Sequence, residues 1–186
     1  MPLSEGSHRL GSPEGRLWLR TYRAGLGAAI GHDLTIEATS WDGTAQVVPA
    51  EPAQSWVRVR VRSDSLTVRE GTGGVKPLTD SDRSEIWRTM REKILLSRQH
   101  PEISFMSTGF SGTPADLAVN GELSILGISR PVCFQAVLAD GDPTRVTGKA
   151  QVVQSEWGIK PYSALFGALQ LRDAVDVHFD APLTPA

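Results

Sequence analysis

The sequence predicts a mostly all-β chain carrying one helix, and three observations predict it. Apolar and polar residues alternate at period two in one segment after another, as in strands with one buried face. The connections between these segments are short, which favours antiparallel pairing. Only residues 79–101 place apolar residues at helical spacing. With 186 residues and 40% hydrophobic content, the chain is large enough for one core, and a single domain is expected.

Residues 1–15, "MPLSEGSHRLGSPEG", are polar and rich in Gly and Pro, and are expected to form a loose tail. "RLWLRTYR" (16–23) puts Leu17, Leu19 and Thr21 on one face. "DLTIEATSWDGTAQV" (33–47) aligns Leu34, Ile36 and Ala38, then is expected to bend near Asp42-Gly43. "WVRVRVRSDSLTVRE" (56–70) is the cleanest strand: Val57, Val59 and Val61 face one way, and Arg58, Arg60 and Arg62 the other. After Ser63-Asp64 the alternation resumes with Leu66 and Val68.

The glycine-rich turn "GTGGVKP" (71–77) leads into the helix, where Asp82 and Glu85 have capping-box spacing. Ile86, Met90 and Ile94, with Trp87 and Leu95 nearby, form a stripe expected to pack against a sheet, and Pro101 marks the stop. "HPEISFMSTGF" (100–110) then alternates Ile103, Phe105 and Ser107 against Ser104, Met106 and Thr108.

In "DLAVNGELSILG" (116–127), Leu117, Val119, Leu123 and Ile125 share a face. Asn120-Gly121 has hairpin chemistry, but the apolar parity runs through it without a slip. An unbroken strand is therefore expected, with the turn at Gly127–Arg130. "RPVCFQAVLAD" (130–140) aligns Val132, Phe134, Ala136 and Leu138, and "RVTGKAQVVQ" (145–154) is a weaker strand. "DAVDVHFDA" (173–181) sets Val175, Val177 and Phe179 against Asp176, His178 and Asp180, and 182–186 is expected to be a short tail. An antiparallel sheet of this size covers its apolar face by folding onto a second sheet or by closing into a barrel.

The chemistry-bearing residues supply no reaction. His8, His32, His100 and His178 show no metal-binding spacing, and Cys133 has no second cysteine to join. His32 and Asp33 are adjacent, so on a strand they point to opposite faces. "GFSGT" (109–113) approaches a nucleophile elbow but ends in Thr113. Cys133 points away from the apolar face, and His178 is expected to be solvated. The net charge is −2, which excludes a global field for nucleic acid, and the arginine row lacks aromatic partners. No apolar run reaches the roughly 20 residues of a membrane-spanning helix. Nor does the start of the chain read as a secretory signal.

Several segments together resemble the YceI-like, polyisoprenoid-binding family: "GHDL" (31–34), "SDSL" (63–66), the helix leading to "HPEISFMST" (100–108), "LAVNGELSILGISRPVCF" (117–134) and "WGIKPYSALFGALQLRDAVDVHF" (157–179). The resemblance runs from about residue 16 to 181 and implies an eight-stranded antiparallel lipocalin-like β-barrel with one packed α-helix. It implies no catalytic residue, metal or cofactor, and an isoprenoid or fatty-chain lipid as the partner.

Parity then gives the expected lining: Leu17, Leu19, Leu34, Ile36, Val57, Val59, Val61, Ile103, Phe105, Leu117, Val119, Leu123, Ile125, Val132, Phe134, Leu138, Val175, Val177 and Phe179. The loop 157–169 is expected to form the mouth, with Trp157, Lys160, Tyr162 and Phe166. Many relatives carry a leader, and with none visible here the expectation is cytoplasmic. Three readings stay open: a lipid-chain carrier, a packed interaction module without ligand, and an enzyme using His32 or Tyr162 as acid or base. A homodimer is left open, because Trp18 and Trp56 are expected to face outward.

Overall fold

The computed structural model describes residues 4–186. In chain order the elements are β1 (Gly6–Gly11), β2 (Arg16–Thr21), β3 (Arg23–Ala24), β4 (Asp33–Ala38), β5 (Trp41–Val47), β6 (Trp56–Arg62), β7 (Leu66–Thr72), α1 (Asp80–Thr89), β8 (Glu102–Thr113), β9 (Asp116–Ile125), β10 (Ile128–Ala139), β11 (Thr144–Val153), β12 (Ser163–Ala164), β13 (Leu169–Leu171) and β14 (Ala174–Pro185). The small strands β12, β13 and β3 form a separate three-stranded sheet.

The others make a closed eight-stranded antiparallel barrel. Three staves of this barrel are bent strands in two halves: β1 with β2, β4 with β5, and β6 with β7. The two halves of the second and third staves stay in step across the bend, Ala38 opposite Leu66 and Trp41 opposite Val61. The bend lies at Thr39-Ser40, before the expected Asp42-Gly43, and Ser65 and Ser40 carbonyls accept from Thr39 and Arg62 amides there. From β6 the wall runs through β8, β9, β10 and β11 to β14 in chain order.

β14 closes the ring. One edge pairs with β11 along its whole length, Val153 opposite Ala174 through Thr144 opposite Leu183. The other edge takes β2 at Asp176–Asp180 and β1 at Thr184-Pro185. Both expected tails are therefore corrected wherever the structure describes them. Residues 6–11 are a barrel strand between β5 and β14, and β14 continues to Pro185. "GSHRLG" contains two glycines and one large aliphatic residue, so its pattern carries no period-two signal. Its place comes from the ladders on both sides and from His8, which is buried. Residues 1–3 of the expected tail lie outside the described residues.

At one end the barrel wall is incomplete. β7 pairs with β4, and β8 pairs with β6 but not with β7. Helix α1 covers the free edge of β7: Arg83 donates to the carbonyls of Val68 and Arg69, and the Trp87 indole donates to Asp64 O at 3.2 Å. The helix starts one turn earlier than the sequence pattern suggests. Thr79 is the N-cap: its hydroxyl accepts from the Asp82 amide, and its own amide donates to the Asp82 carboxylate. A π turn at Met90–Ile94 and a left-handed Leu96 end it well before Pro101.

β9 is unbroken through Asn120-Gly121, as expected, but the hairpin turn falls at Leu126-Gly127, with φ of 53° and 74°, and not at Gly127–Arg130, because Ile128–Arg130 already pair in β10. Two positive φ values make the type I′ geometry that matches strand twist.

Trp157 closes the core beside this hairpin. It is 1% exposed, and its indole N–H donates to Leu123 O at 2.9 Å. Trp157→Ala should cost about 3–5 kcal/mol, in the range for deleting a buried aromatic. Lys160→Ala, three residues on and exposed, should stay within about 0.5 kcal/mol. Urea unfolding of both variants checks the contrast.

Candidate functional site

The barrel encloses a cavity of about 1120 Å³. Every residue that parity assigned to the interior lines it: Leu17 and Leu19 on β2, Leu34 and Ile36 on β4, Val57, Val59 and Val61 on β6, Ile103 and Phe105 on β8, Leu117, Val119, Leu123 and Ile125 on β9, Val132, Phe134 and Leu138 on β10, and Val175, Val177 and Phe179 on β14. An eight-stranded barrel is normally just wide enough to be filled by its own side chains. Here small inward residues leave room. Ala45, Ala136 and Ala150 line the wall, and Gly121 and Gly148 sit in the middle of β9 and β11.

These two glycines organise the aromatic residues. Five successive strands from β8 to β14, β12 and β13 excluded, contribute Phe105, Gly121, Phe134, Gly148 and Phe179. The phenyl rings of 105 and 134 are 5.5 Å apart, and those of 134 and 179 are 5.6 Å apart in an edge-on arrangement. Each glycine lies under a neighbouring ring. A Cβ at Gly121 would come within 2.4 Å of the Phe105 ring, and one at Gly148 within 2.3 Å of the Phe179 ring. The rings lie back against the wall because no side chain stands beneath them, and the lumen stays open in front. Sequence parity found the three phenylalanines and missed the glycines. The available signal was a glycine inside a strand, which marks a site of close approach.

A bulge between Ser107 and Gly109 moves Phe110 onto the lumen side, where strict alternation would have turned it outward. Ser107 itself is buried, and its hydroxyl accepts from the Val57 amide at 2.8 Å. The helical stripe Ile86, Met90 and Ile94 lines the end of the cavity instead of merely packing on a sheet.

Polar lining residues gather at the two ends. His32, Lys76, Asp82, Glu85 and Tyr162 lie at the helix end, and Gln46, Ser55 and Thr113 at the other. His32 Nε2 is 2.7 Å from the Lys76 carbonyl. Of the four expected mouth residues, Tyr162 alone lines the cavity. Trp157 is buried in the core because its indole bonds to the β9 backbone. Lys160 stands in a shallow side groove with Glu85, Thr89 and Lys93. Phe166 is fully exposed, because Leu165 and Phe166 both take left-handed backbone angles that turn the side chain out.

On the outer face of β14 a second polar group is assembled. Asp176 is buried and accepts from Tyr22 Oη at 2.9 Å and from Lys149 Nζ at 3.0 Å. Burial opposes its ionisation, but hydrogen bonds from Lys149, Tyr22 and Gln151 outweigh that and hold its pKa below the usual carboxylate range. The same carboxylate pushes the Tyr22 hydroxyl up. His178, expected to be solvated, instead stacks on Trp18 at 5.3 Å, and its Nε2 is buried without a partner. Burial, aided by Lys149, lowers its pKa. Cys133 is exposed on the outside of β10.

Such a site defines a class: a closed up-and-down barrel with an open apolar lumen and polar ends. A profile of the YceI-like domain matches residues 22–183, and the chain belongs to the YceI-like family. Several solved structures share the fold. Burkholderia cenocepacia BcnA superposes with a TM-score of 0.68 at 13% identity, covering 90% of this chain and 94% of that one. A polyisoprenoid binding domain from Saccharophagus degradans, implicated in plant cell wall breakdown, gives 0.60 at 8% identity over 96% and 98% of the two chains. A Campylobacter jejuni YceI protein gives 0.59 at 10% identity over 81% and 85%. A search of curated proteins found no match. Among the described residues no helix is long and apolar enough to cross a membrane.

Two outcomes are expected. Gly121→Ala forces the Phe105 ring and the Met106 backbone to move, so it should destabilise by about 1–3 kcal/mol. Phe105→Leu in the same chain should recover part of that loss in thermal unfolding. The second concerns pH. His178 has a folded pKa below its unfolded value of about 6.5, so its contribution is present above that pH and is lost as pH falls. Stability should therefore decline on acidification from about pH 6.5, and His178→Gln should flatten that part of a urea-midpoint profile.

Proposed function

We propose that the protein binds and carries, or sequesters, an isoprenoid or other long apolar lipid chain inside the barrel, without catalysing a reaction. The observation that supports this most is the unfilled lumen. Its 1120 Å³ exceed the ~300–1,000 Å³ of ordinary small-molecule pockets, and its middle is lined by aliphatic and phenyl groups. A slim chain gains about 25 cal/mol for each Å² of apolar surface it buries, before association costs. Aliphatic and aromatic groups dominate the lumen, so selection there is chiefly by length and thickness. Polar recognition falls to the ends, where His32, Lys76, Asp82, Glu85 and Tyr162 stand. The structural neighbour from Saccharophagus degradans is itself a polyisoprenoid binding domain, which agrees with this reading.

The alternative is a packed interaction module that holds no ligand. Large inward residues favoured it at the level of sequence. The cavity weighs against it, because a barrel with no cargo gains dispersion energy by filling its lumen.

The test is native mass spectrometry of protein purified without detergent, followed by solvent extraction and lipid analysis. A stoichiometric prenyl or acyl species is expected. Leu123→Trp puts an indole into the lumen and should fold while retaining less than about a tenth of that lipid; Phe105→Ala should retain it. Wild-type protein that stays empty after incubation with prenyl quinones and fatty acids would sink the carrier reading. So would a folded Leu123→Trp that binds as well as wild type.

A further inference from the structure

Three connections lie at the helix end of the barrel, residues 22–32, 73–79 and 154–173. Two of them are bound together. β3 pairs with β13, and the Gly27 amide donates to Ala168 O at 2.7 Å. The tips of these two loops carry Leu26, Leu165 and Phe166. Leu26 and Phe166 are as exposed as side chains can be, at 102% and 113%, and neither lines the cavity. Leu165 and Phe166 hold φ of 53° and 55°, a conformation that costs a non-glycine residue energy. Strained backbone here serves to present apolar groups to solvent. Beneath the tips, Ile30, Val75 and Tyr162 are both exposed and cavity-lining, so the apolar rim runs without a break into the lumen.

Charge is sorted along the barrel axis. These connections contain Arg23, Lys76, Lys160 and Arg172 against Glu156 and Asp173, in a chain with 21 acidic and 19 basic residues. Arg23 is held by Gly31 O and Asp33, whereas Lys76, Lys160 and Arg172 are exposed. The turns at the opposite end, 48–55, 114–115 and 140–143, show the reverse: Glu51, Asp140 and Asp142, with no Lys or Arg. Behind the rim, Asp82 is engaged in the helix cap, Asp173 accepts from the Ser155 amide, and Glu85 stands near Lys160.

Exposed apolar tips backed by an excess of cations, with only acids in the turns of the far pole, match the chemistry of a lipid interface. The apolar groups enter the acyl boundary, the cations meet anionic headgroups, and the acidic pole is repelled. We infer that the helix end docks on an anionic bilayer surface, with Leu26 and Phe166 inserted and Lys76, Lys160 and Arg172 against the headgroups. The lumen then opens onto the membrane, and a chain passes between bilayer and barrel without crossing water. Docking stands on the rim alone; the passage of a chain rests on the carrier reading proposed above.

The experiment is sedimentation of the purified protein with sucrose-loaded vesicles of phosphatidylcholine, with and without phosphatidylglycerol. Wild type should partition onto the anionic vesicles, and added salt should weaken binding. The double variant Leu26→Ser/Phe166→Ser should lose about tenfold or more of the partition coefficient. Lys76→Glu/Lys160→Glu should lose about fivefold or more for each charge. Leu96→Ser, an exposed apolar residue outside the rim loops, should change nothing.

Uptake of geranylgeraniol delivered from ethanol, without vesicles, reports separately on the lumen, and should be equal in wild type and the Leu26/Phe166 variant. Vesicle binding without geranylgeraniol uptake would uphold docking and count against the carrier reading. The inference is overturned if wild type stays in the supernatant, or if the double variant sediments like wild type. It is overturned equally if the double variant converts a dimer to a monomer while neither binds vesicles, because the rim then serves a second copy of the chain.

Discussion

Closure of the backbone ladder is the constraint on which everything else depends. A sheet with one apolar face must hide that face, and its two edge strands must find partners. β14 meets both needs by taking β11 on one side and both β2 and β1 on the other. This double duty requires a strand long enough to span the barrel, which Ala174–Pro185 is. It also requires Gly6–Gly11 to be structural, although their composition is that of a tail. Where the ladder fails, between β7 and β8, the polar backbone is met by Arg83 and the Trp87 indole from α1. The helix is thus a repair of the wall and at the same time one end of the cavity.

A closed ring of eight staves tends to fill its own interior. This one keeps a lumen by alternating phenyl rings with glycines on neighbouring strands. Gly121 and Gly148 give up the packing and the strand stability that a side chain would add. In return Phe105 and Phe179 lie against the wall. The vacancy is therefore not a packing defect at one site. It is distributed over five strands and depends on their register, so a slip of one residue would turn a ring out of the barrel or set a side chain where a glycine stands.

The two ends of the barrel are chemically unlike, and the difference is carried by loops. Strand residues on the outside pair their charges locally, as Arg60 does with Asp42, Arg62 with Asp64 and Arg145 with Asp180. Such exposed pairs contribute little to stability, but they leave the wall electrically quiet. The most exposed apolar groups, Leu26 and Phe166, stand in the turns, and the turns of the two poles differ in the balance of charge they carry. Net charge near zero conceals this arrangement.

Much of the interior was legible from residue order alone. Alternation is a local property of the chain, so Val57, Val59 and Val61, or Val175, Val177 and Phe179, announce a common face without any knowledge of their partners. All these residues point where parity puts them. The sequence by itself determined which side of each long strand is apolar and that one helix interrupts the strands. Tertiary structure decided the rest. It turned "GSHRLG" into a barrel stave, because ladders on both sides hold residues whose own pattern is silent. It buried Trp157 and exposed Phe166 within one loop, because a hydrogen bond to Leu123 and two left-handed residues outweigh composition. It bonded the loop that carries Leu26 to the loop that carries Phe166, far apart in the sequence. Whether a face is apolar is fixed by neighbours two residues away; what that face meets is fixed by strands a hundred residues away, and only a closed fold brings those together.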